Sequence, residues 1–336
     1  MLRTEHPVAR LAAPLLAVCL VATACTGGED TTNAAAPAEQ QESPKPVKSQ
    51  WPFTGETFTG KLPQHRAVAV KIENTDSGAP QAGLGSADLV VEELVEGGLT
   101  RLAAFYYSDM PRDVGPVRSM RATDIGIVKP TKSLLVASGG APPTMQRIRK
   151  AHIPTATEGT KGYHRVSDRP APYNLFMNLA RLPADKTKGP APQNYLPWGS
   201  AQKLDAGKPA KKVTAQFSAG SSTRWTWSGS AWKRADSLAA KGDDFKADNV
   251  LALEVKVVDA GYTDPSGARV PESVLTGNGD ATLFYDGQAY KGTWKKKSNA
   301  SPIKLTSAKG GPLPVPPGHT WIELIPASGG GLSYGK

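Results

Sequence analysis

Two local structures compete for ADLVVEELVEGGLTRLAAFYY (residues 87–107), and the architecture turns on which one forms. In the first, Gly97-Gly98 is a two-residue hairpin turn, which sets Glu96 against Leu99 and Leu94 against Arg101. Alternate side chains share one face of a strand. Glu92, Leu94 and Glu96 then lie opposite Ala103, Arg101 and Leu99, with Arg101 diagonal to both acids. In the second, Ser86 caps a helix over 87–96 and Gly97 ends it. The β-branched Val90, Val91 and Val95 favour the hairpin. A spacing of four satisfies both periods, so Glu92 and Glu96 are expected on one face either way. Only the membership of Arg101 depends on the choice.

Further on, VGPVRSMRATDIG (114–126) pairs a Gly115-Pro116 turn with Ser119, a good N-cap for a short helix. Arg118 and Arg121 would stand beside exposed helix N–H groups, an arrangement that binds phosphate or carboxylate. The competing reading has Arg118 paired with Glu92 or Glu96 as a structural salt bridge. Glu92 and Glu96 divide in the same way. Paired carboxylates can do general acid–base chemistry or hold a cation; with Arg101 they can equally form a solvated ion-pair face.

The flanking chain sets the context. The first 24 residues combine Arg3 and Arg10 with the apolar run LAAPLLAVCLVA, the make-up of a signal peptide. Ala22-Thr23-Ala24-Cys25 follows and resembles a lipobox, in which Cys25 receives the lipid and becomes the mature N-terminus. Leu is commoner where Ala22 stands, and Ala22-x-Ala24 also suits an ordinary signal peptidase. Two acyl chains hold a protein on a membrane where one does so only marginally. Cys19 leaves with the signal, so Cys25 is the sole mature cysteine, which excludes an internal disulfide and a thiolate zinc cluster. Without the signal's charges the chain holds 38 basic and 29 acidic residues, a balance of +9. No run of five like charges marks a patch, and outside the cytoplasm the polyanions at hand are lipid headgroups and envelope polymers, not nucleic acid.

Residues 26–50 lack aromatic and nearly all branched apolar side chains and read, from Cys25 on, as a disordered tether. Folded sequence is expected from Trp51. AVAVKIE (67–73) and LLVASGG (134–140) read as strands, PPTMQRIRKA (142–151) as a helix begun by proline, and RPAPYNLFMNLARLP (169–183) as a second helix with Leu175, Phe176, Leu179 and Leu182 at helical spacing. The expected fold class is therefore α+β: a mixed α/β domain over 51–205, then a smaller all-β sandwich or barrel over 206–328, and a flexible tail over 329–336. In the β part, TRWTWSGSAWKRA (223–235) alternates about Ser-Gly-Ser, NVLALEVKVVD (249–259) is a long strand, and ATLFYDGQAYKGTWKK (281–296) is a hairpin about Asp286-Gly287. Trp225, Trp227, Trp232, Trp294 and Trp321 gather here as core packing in preference to sugar stacking.

Several signals carry little. GLSYG (331–335) matches the hydrolase elbow G-x-S-x-G, but the elbow needs a helix after its serine and the sequence stops at Lys336. The histidines are dispersed without metal-ligand spacing, and His164 beside Arg165 is the one near a motif. No Walker loop or dinucleotide fingerprint occurs, so neither cofactor nor metal is expected.

The motifs VAVKIEN (68–74), VEGGLTR (95–101), GPVRSMR (115–121), RVSDRPAPYN (165–174) and PPGHTWIELIP (316–326), with Pro52-Phe53-Thr54-Gly55 and GTWKK (292–296), resemble the YerB-type lipoprotein family, a bacterial family with a two-part domain of unknown function. The resemblance implies a lipoprotein outside the cytoplasmic membrane with a mixed N-terminal and a β-rich C-terminal part, and supplies no reaction. It marks Glu92, Glu96, Arg101, Arg118, Ser119, Arg121, Arg169 and Asn174. The family commonly has His before Asn174 and this chain has Tyr173, which argues against a His-dependent mechanism. The expectation is a membrane-anchored, non-enzymatic lipoprotein. It would bind an anionic envelope ligand or protein partner through Arg101, Arg118, Ser119, Arg121, Arg169 and Asn174, with Glu92 and Glu96 positioning the arginines. The alternative is an envelope hydrolase or transferase using Glu92 or Glu96 as general acid–base while Arg118 and Arg121 hold the substrate.

Overall fold

Valine- and isoleucine-rich runs with no polar alternation indicate strands buried on both faces. The computed structural model, which describes residues 47–264 and 267–336, has them at the centre of one large mixed sheet. Pro46–Lys336 forms one compact unit. Its principal strands are β1 (Val68–Glu73), β2 (Leu89–Leu94), β3 (Thr100–Tyr106), β4 (Leu134–Val136), β5 (Lys212–Gln216), β6 (Ser222–Trp227), β7 (Trp232–Arg234), β8 (Asn249–Thr263), β9 (Gly277–Tyr285), β10 (Gln288–Lys296), β11 (Thr320–Pro326) and β12 (Gly331–Gly335). Across the large sheet the order runs β10, β9, β8, β11, β2, β3, β1, β4, with short strands at both edges.

The expected α+β division is not what forms. The protein is mostly β, and strands from both ends of the chain share the sheet: β11 inserts between β8 and β2, parallel to each. All seven residues of β11 are buried. One apolar cluster fills each face, with Leu89, Val91, Phe105, Ile322 and Leu324 in one and Val90, Leu102, Ala104, Trp321 and Ile325 in the other. A second sheet, β7-β6-β5-β12, contributes Val213, Trp225 and Trp232 to the latter cluster. Trp225, Trp232, Trp294 and Trp321 are fully buried, as core packing requires.

Helices are few and short among the described residues. The longest is α2 (Pro142–Lys150), which starts at its proline as expected; α1 (Asp124–Val128) has five residues. The helix expected over 169–183 does not form. Pro170 and Pro172 remove donors and push the residues before them out of the helical region, and Leu175–Met177 becomes a fully buried strand paired with Tyr163–Arg165. Short apolar runs fit either period, and burial on all sides settles this one. The boundaries of order also shift. Lys48–Gln50 pairs with Thr57–Thr59, ahead of Trp51. The expected flexible tail is instead β12, paired with β5 and held by Tyr334 edge-on to Phe284. Ser333 stands exposed in that strand, which is no elbow. The expected signal peptide, Cys25 and most of the expected tether lie outside the described residues.

The competing readings of residues 87–107 resolve as a hairpin, one residue out of the expected register. Glu92 faces Leu102, Glu93 faces Arg101 and Leu94 faces Thr100, with Val95 closing on Leu99 across a three-residue loop. Gly97 (φ 70°) and Gly98 (φ 71°) take left-handed conformations that favour glycine. A slip of one residue exchanges the two faces of a strand. Arg101 therefore sits with Glu93 instead of Glu92.

Candidate anion-binding cleft

Three charged clusters replace the single one expected. The strand pleat sends Glu92 and Glu93 to opposite faces, and Glu96, beyond the end of β2, turns to the side of Glu93 and Arg101. The expectation that Glu92 and Glu96 share a face fails for that reason: a period argument holds only while the strand lasts.

Glu92 is enclosed, with 0% of its surface exposed. Its carboxylate accepts hydrogen bonds from Asn74 Nδ2 at 2.9 Å, Thr223 Oγ1 at 2.9 Å and Trp321 Nε1 at 3.2 Å. The β2–β11 register places Glu323 directly beside it, also fully buried. Burial and the Glu92 charge push the Glu323 carboxyl well above the usual range, and its Oε1 accepts from Trp225 Nε1 at 2.7 Å.

On the other face Arg101 and Arg121 converge on Glu96. Arg121 forms a bidentate pair with it, Nε donating to Oε2 at 2.8 Å and Nη2 to Oε1, and Arg101 Nη2 lies 3.2 Å from Oε1. All three side chains are about nine-tenths buried, at 8%, 9% and 12% exposure. Burial alone would raise the Glu96 carboxyl, but the hydrogen bonds from Arg121 and the charges of both arginines outweigh it and hold the group at about 2. Burial and then the Arg121 charge press the Arg101 guanidinium down to about 10. One carboxylate thus serves two guanidiniums, and Arg101 Nε and Nη1 are buried with no hydrogen-bond partner. Buried polar groups are nearly always paired.

Beside this cluster opens a cleft of about 600 Å³, lined by Glu96, Ser119, Arg121, Ser138, Gly139 and Pro142 at the start of α2, together with Tyr262 and Asp264. Ser119 Oγ lies 3.4 Å from Ser138 Oγ, so two hydroxyls, a guanidinium and a helix N-terminus border one space. Asp264 Oδ1 accepts from Ala268 N at 2.9 Å within its own loop.

The remaining expected site residues gather elsewhere. Arg118 Nε pairs with Glu73 Oε2 at 2.8 Å and its guanidinium lies 5.1 Å from the centre of the Tyr173 ring. Arg169 donates to the carbonyls of Gly78 and Pro80 and packs over Phe176. Asn174 Oδ1 accepts from Arg165 at 2.5 Å. Arg118 and Arg169 hold the 165–174 loop against the body of the protein, and Asn174 ties the two ends of the loop together. His164, with Nε2 3.0 Å from Asp113 Oδ1, lines an open groove of about 880 Å³ together with Arg112, Lys161, Arg165 and Arg181.

The sequence reading missed Lys71, Asp124 and Glu323. Lys71 and Glu323 carry the same signal, a charge with apolar residues on both sides inside a strand (VAVKIE, TWIELIP), which a two-sided buried strand cannot place in water. Lys71 Nζ pairs with Glu93 Oε1 and lies 2.9 Å from Asp124 Oδ1, and all three side chains have no exposed surface. Among the described residues no cluster of His, Cys, Asp and Glu could hold a metal, and no helix is long and apolar enough to cross a membrane.

A predominantly β protein with a mixed sheet shared by both ends of the chain, and with its motif residues in buried ion clusters, is the class defined here. Two family models match in tandem: "Protein of unknown function (DUF3048) N-terminal domain" over residues 53–191 and the DUF3048 C-terminal domain over 213–322. The chain belongs to this two-part family. A relative from Bacillus subtilis (strain 168), described as "Putative lipoprotein YerB", is 26% identical over 295 residues, spanning 83% of this chain and 87% of its own length. The crystal structure of YerB protein from Bacillus subtilis shares the fold, with a TM-score of 0.69 at 23% identity over 85% of this chain and 100% of that one.

Proposed function

We propose that the protein is an extracytoplasmic lipoprotein, held on the membrane through Cys25, that binds an anionic envelope ligand or an anionic segment of a partner protein in the cleft beside Arg121. The observation that carries this reading is the charge deficit at Glu96, where two buried guanidiniums share one carboxylate and leave Arg101 donors unpaired. Ser119 and Ser138 supply further donors, and the N-terminus of α2, which starts with two prolines that have no N–H, adds a favourable dipole. Binding is favoured over the hydrolytic alternative on physical grounds. Glu92 has no exposed surface to meet a substrate, and a carboxylate held at about 2 is a poor proton carrier near neutrality.

Titration calorimetry of the full chain with inorganic phosphate and with short glycerol-phosphate oligomers tests the reading. Salt-sensitive binding is expected, weakened at least about tenfold by Ser138→Asp, which sets a like charge against the ligand without touching the buried pair. Equal binding by the variant, or none by either protein, overturns it. The anchor is tested separately. Intact-mass analysis of membrane-extracted protein should find Cys25 acylated at the mature N-terminus, and a free thiol there excludes the anchor.

A further inference from the structure

Two carboxylates against one ammonium, all sealed from water, is a costly arrangement. Each buried ion forfeits several kcal/mol of hydration, and the mutual attraction repays it only when charges and hydrogen bonds balance. Lys71 in β1, Glu93 in β2 and Asp124 at the start of α1 do not balance as ions. A condensation of Lys71 with Asp124 takes two of these three ions out of the pocket.

We infer that Lys71 and Asp124 form an intramolecular isopeptide bond, with Glu93 carrying the protons. The geometry supports the parts. Lys71 Nζ lies 2.9 Å from Asp124 Oδ1, within reach of the carboxyl carbon, and a buried amine held against its acceptor has the effective concentration that makes amide formation feasible. Asp124 Oδ2 accepts a hydrogen bond from the backbone N–H of Arg121 at 2.7 Å, which polarises that oxygen as the carbonyl and stabilises it when the carbon becomes tetrahedral. Glu93 Oε1 touches the same amine.

The step balances as follows. Glu93 takes one proton from the Lys71 ammonium. The freed nitrogen lone pair attacks Asp124 Cγ, and Glu93 passes its proton to Oδ1. The second proton leaves the nitrogen by the same route, the Cγ–Oδ1 bond breaks, and Oδ1 departs as water. One C–N bond forms, one C–O bond breaks, and no oxidant or co-reactant is needed. The product replaces an ammonium and a carboxylate with a neutral amide. Glu93 passes on each proton that it takes, so it ends as it began, a carboxylate beside the N–H of the new amide. Condensation removes two of the three ions from the pocket and ties β1 covalently to α1.

The test is a tryptic map of the full chain extracted from membranes. Acylated Lys71 resists trypsin, so the expected product is residues 67–101 joined to residues 122–132, lighter than the sum of the two peptides by one water, about 18 Da. Residues 67–71 released as a free peptide in full yield, with 122–132 unattached, overturns the inference. A 67–101 peptide that has lost water by itself places the bond on Glu93 and overturns the assignment to Asp124. Glu93→Gln should release the free 67–71 peptide, since it cannot carry a proton; complete crosslinking in that variant removes Glu93 from the mechanism. The wild-type map decides the bond even if a variant fails to fold.

Discussion

Replacing Glu96 with alanine is expected to lower stability by about 3–5 kcal/mol, the usual cost of stripping the partner from a buried ion pair. The loss is large because two guanidiniums depend on this carboxylate: Arg121 through a bidentate pair and Arg101 through its one contact there. Denaturant unfolding followed by circular dichroism measures it. A loss below about 1 kcal/mol would mean that water solvates the cluster as it does an exposed pair. The same group makes a pH prediction. Its carboxyl is depressed from the ordinary value of about 4.5 to about 2 in the folded protein. A depressed carboxyl contributes stability that is fully present above the unfolded value and is lost as pH falls through the folded one. The advantage of the wild type over Glu96→Gln should therefore be constant above about pH 4.5 and shrink from there towards pH 2.

Trp321→Ala is expected to cost a similar amount, about 3–5 kcal/mol, from the cavity left by a buried indole. Trp321 is 1% exposed, lies edge-on to Trp225 at 5.3 Å and to Phe245 at 5.6 Å, and has the Arg234 guanidinium 5.3 Å from its ring centre. Its Nε1 also donates to Glu92, so the alanine variant takes away one of the donors that make a buried carboxylate tolerable. Trp321→Phe keeps much of the packing and loses only the donor, and should retain more than half of the stability that alanine forfeits. Unfolding midpoints of the two variants separate the contributions; equal losses would show that the hydrogen bond dominates and the ring packing does not.

Much of the local structure was legible. Asp286 (φ 48°) and Gly287 (φ 66°) make the two-residue turn expected of them between β9 and β10. Trp227 faces Trp232 across the Ser-Gly-Ser turn, and Pro142 starts α2. The family pattern was legible too, in motifs whose side chains prove to hold the ion clusters and the 165–174 loop. The candidate residues were real neighbours of charge but were grouped wrongly. Arg118 finds Glu73 instead of Glu92 or Glu96, and the buried partners Lys71, Asp124 and Glu323 stood outside the motifs that were weighed for chemistry.

Turns and strands were readable because their causes are local: φ > 0 at glycines, the missing N–H of proline, and β-branched side chains. The loop length of the Gly97-Gly98 hairpin was not readable from its residue types, since both a two- and a three-residue connection accept two glycines. That single residue of register decided which of Glu92 and Glu93 meets Arg101. The joining of the chain's two ends was also invisible, because β2 and β11 pair in parallel across more than two hundred residues and neither strand carries a mark of the other. By itself the sequence determined the hairpins, the start of α2 and the family. Only the tertiary structure decided the shared sheet, the faces on which the charges lie, and that Lys71, Glu93 and Asp124 meet out of reach of water, since burial on both faces is a property of the assembled layers and not of any one strand.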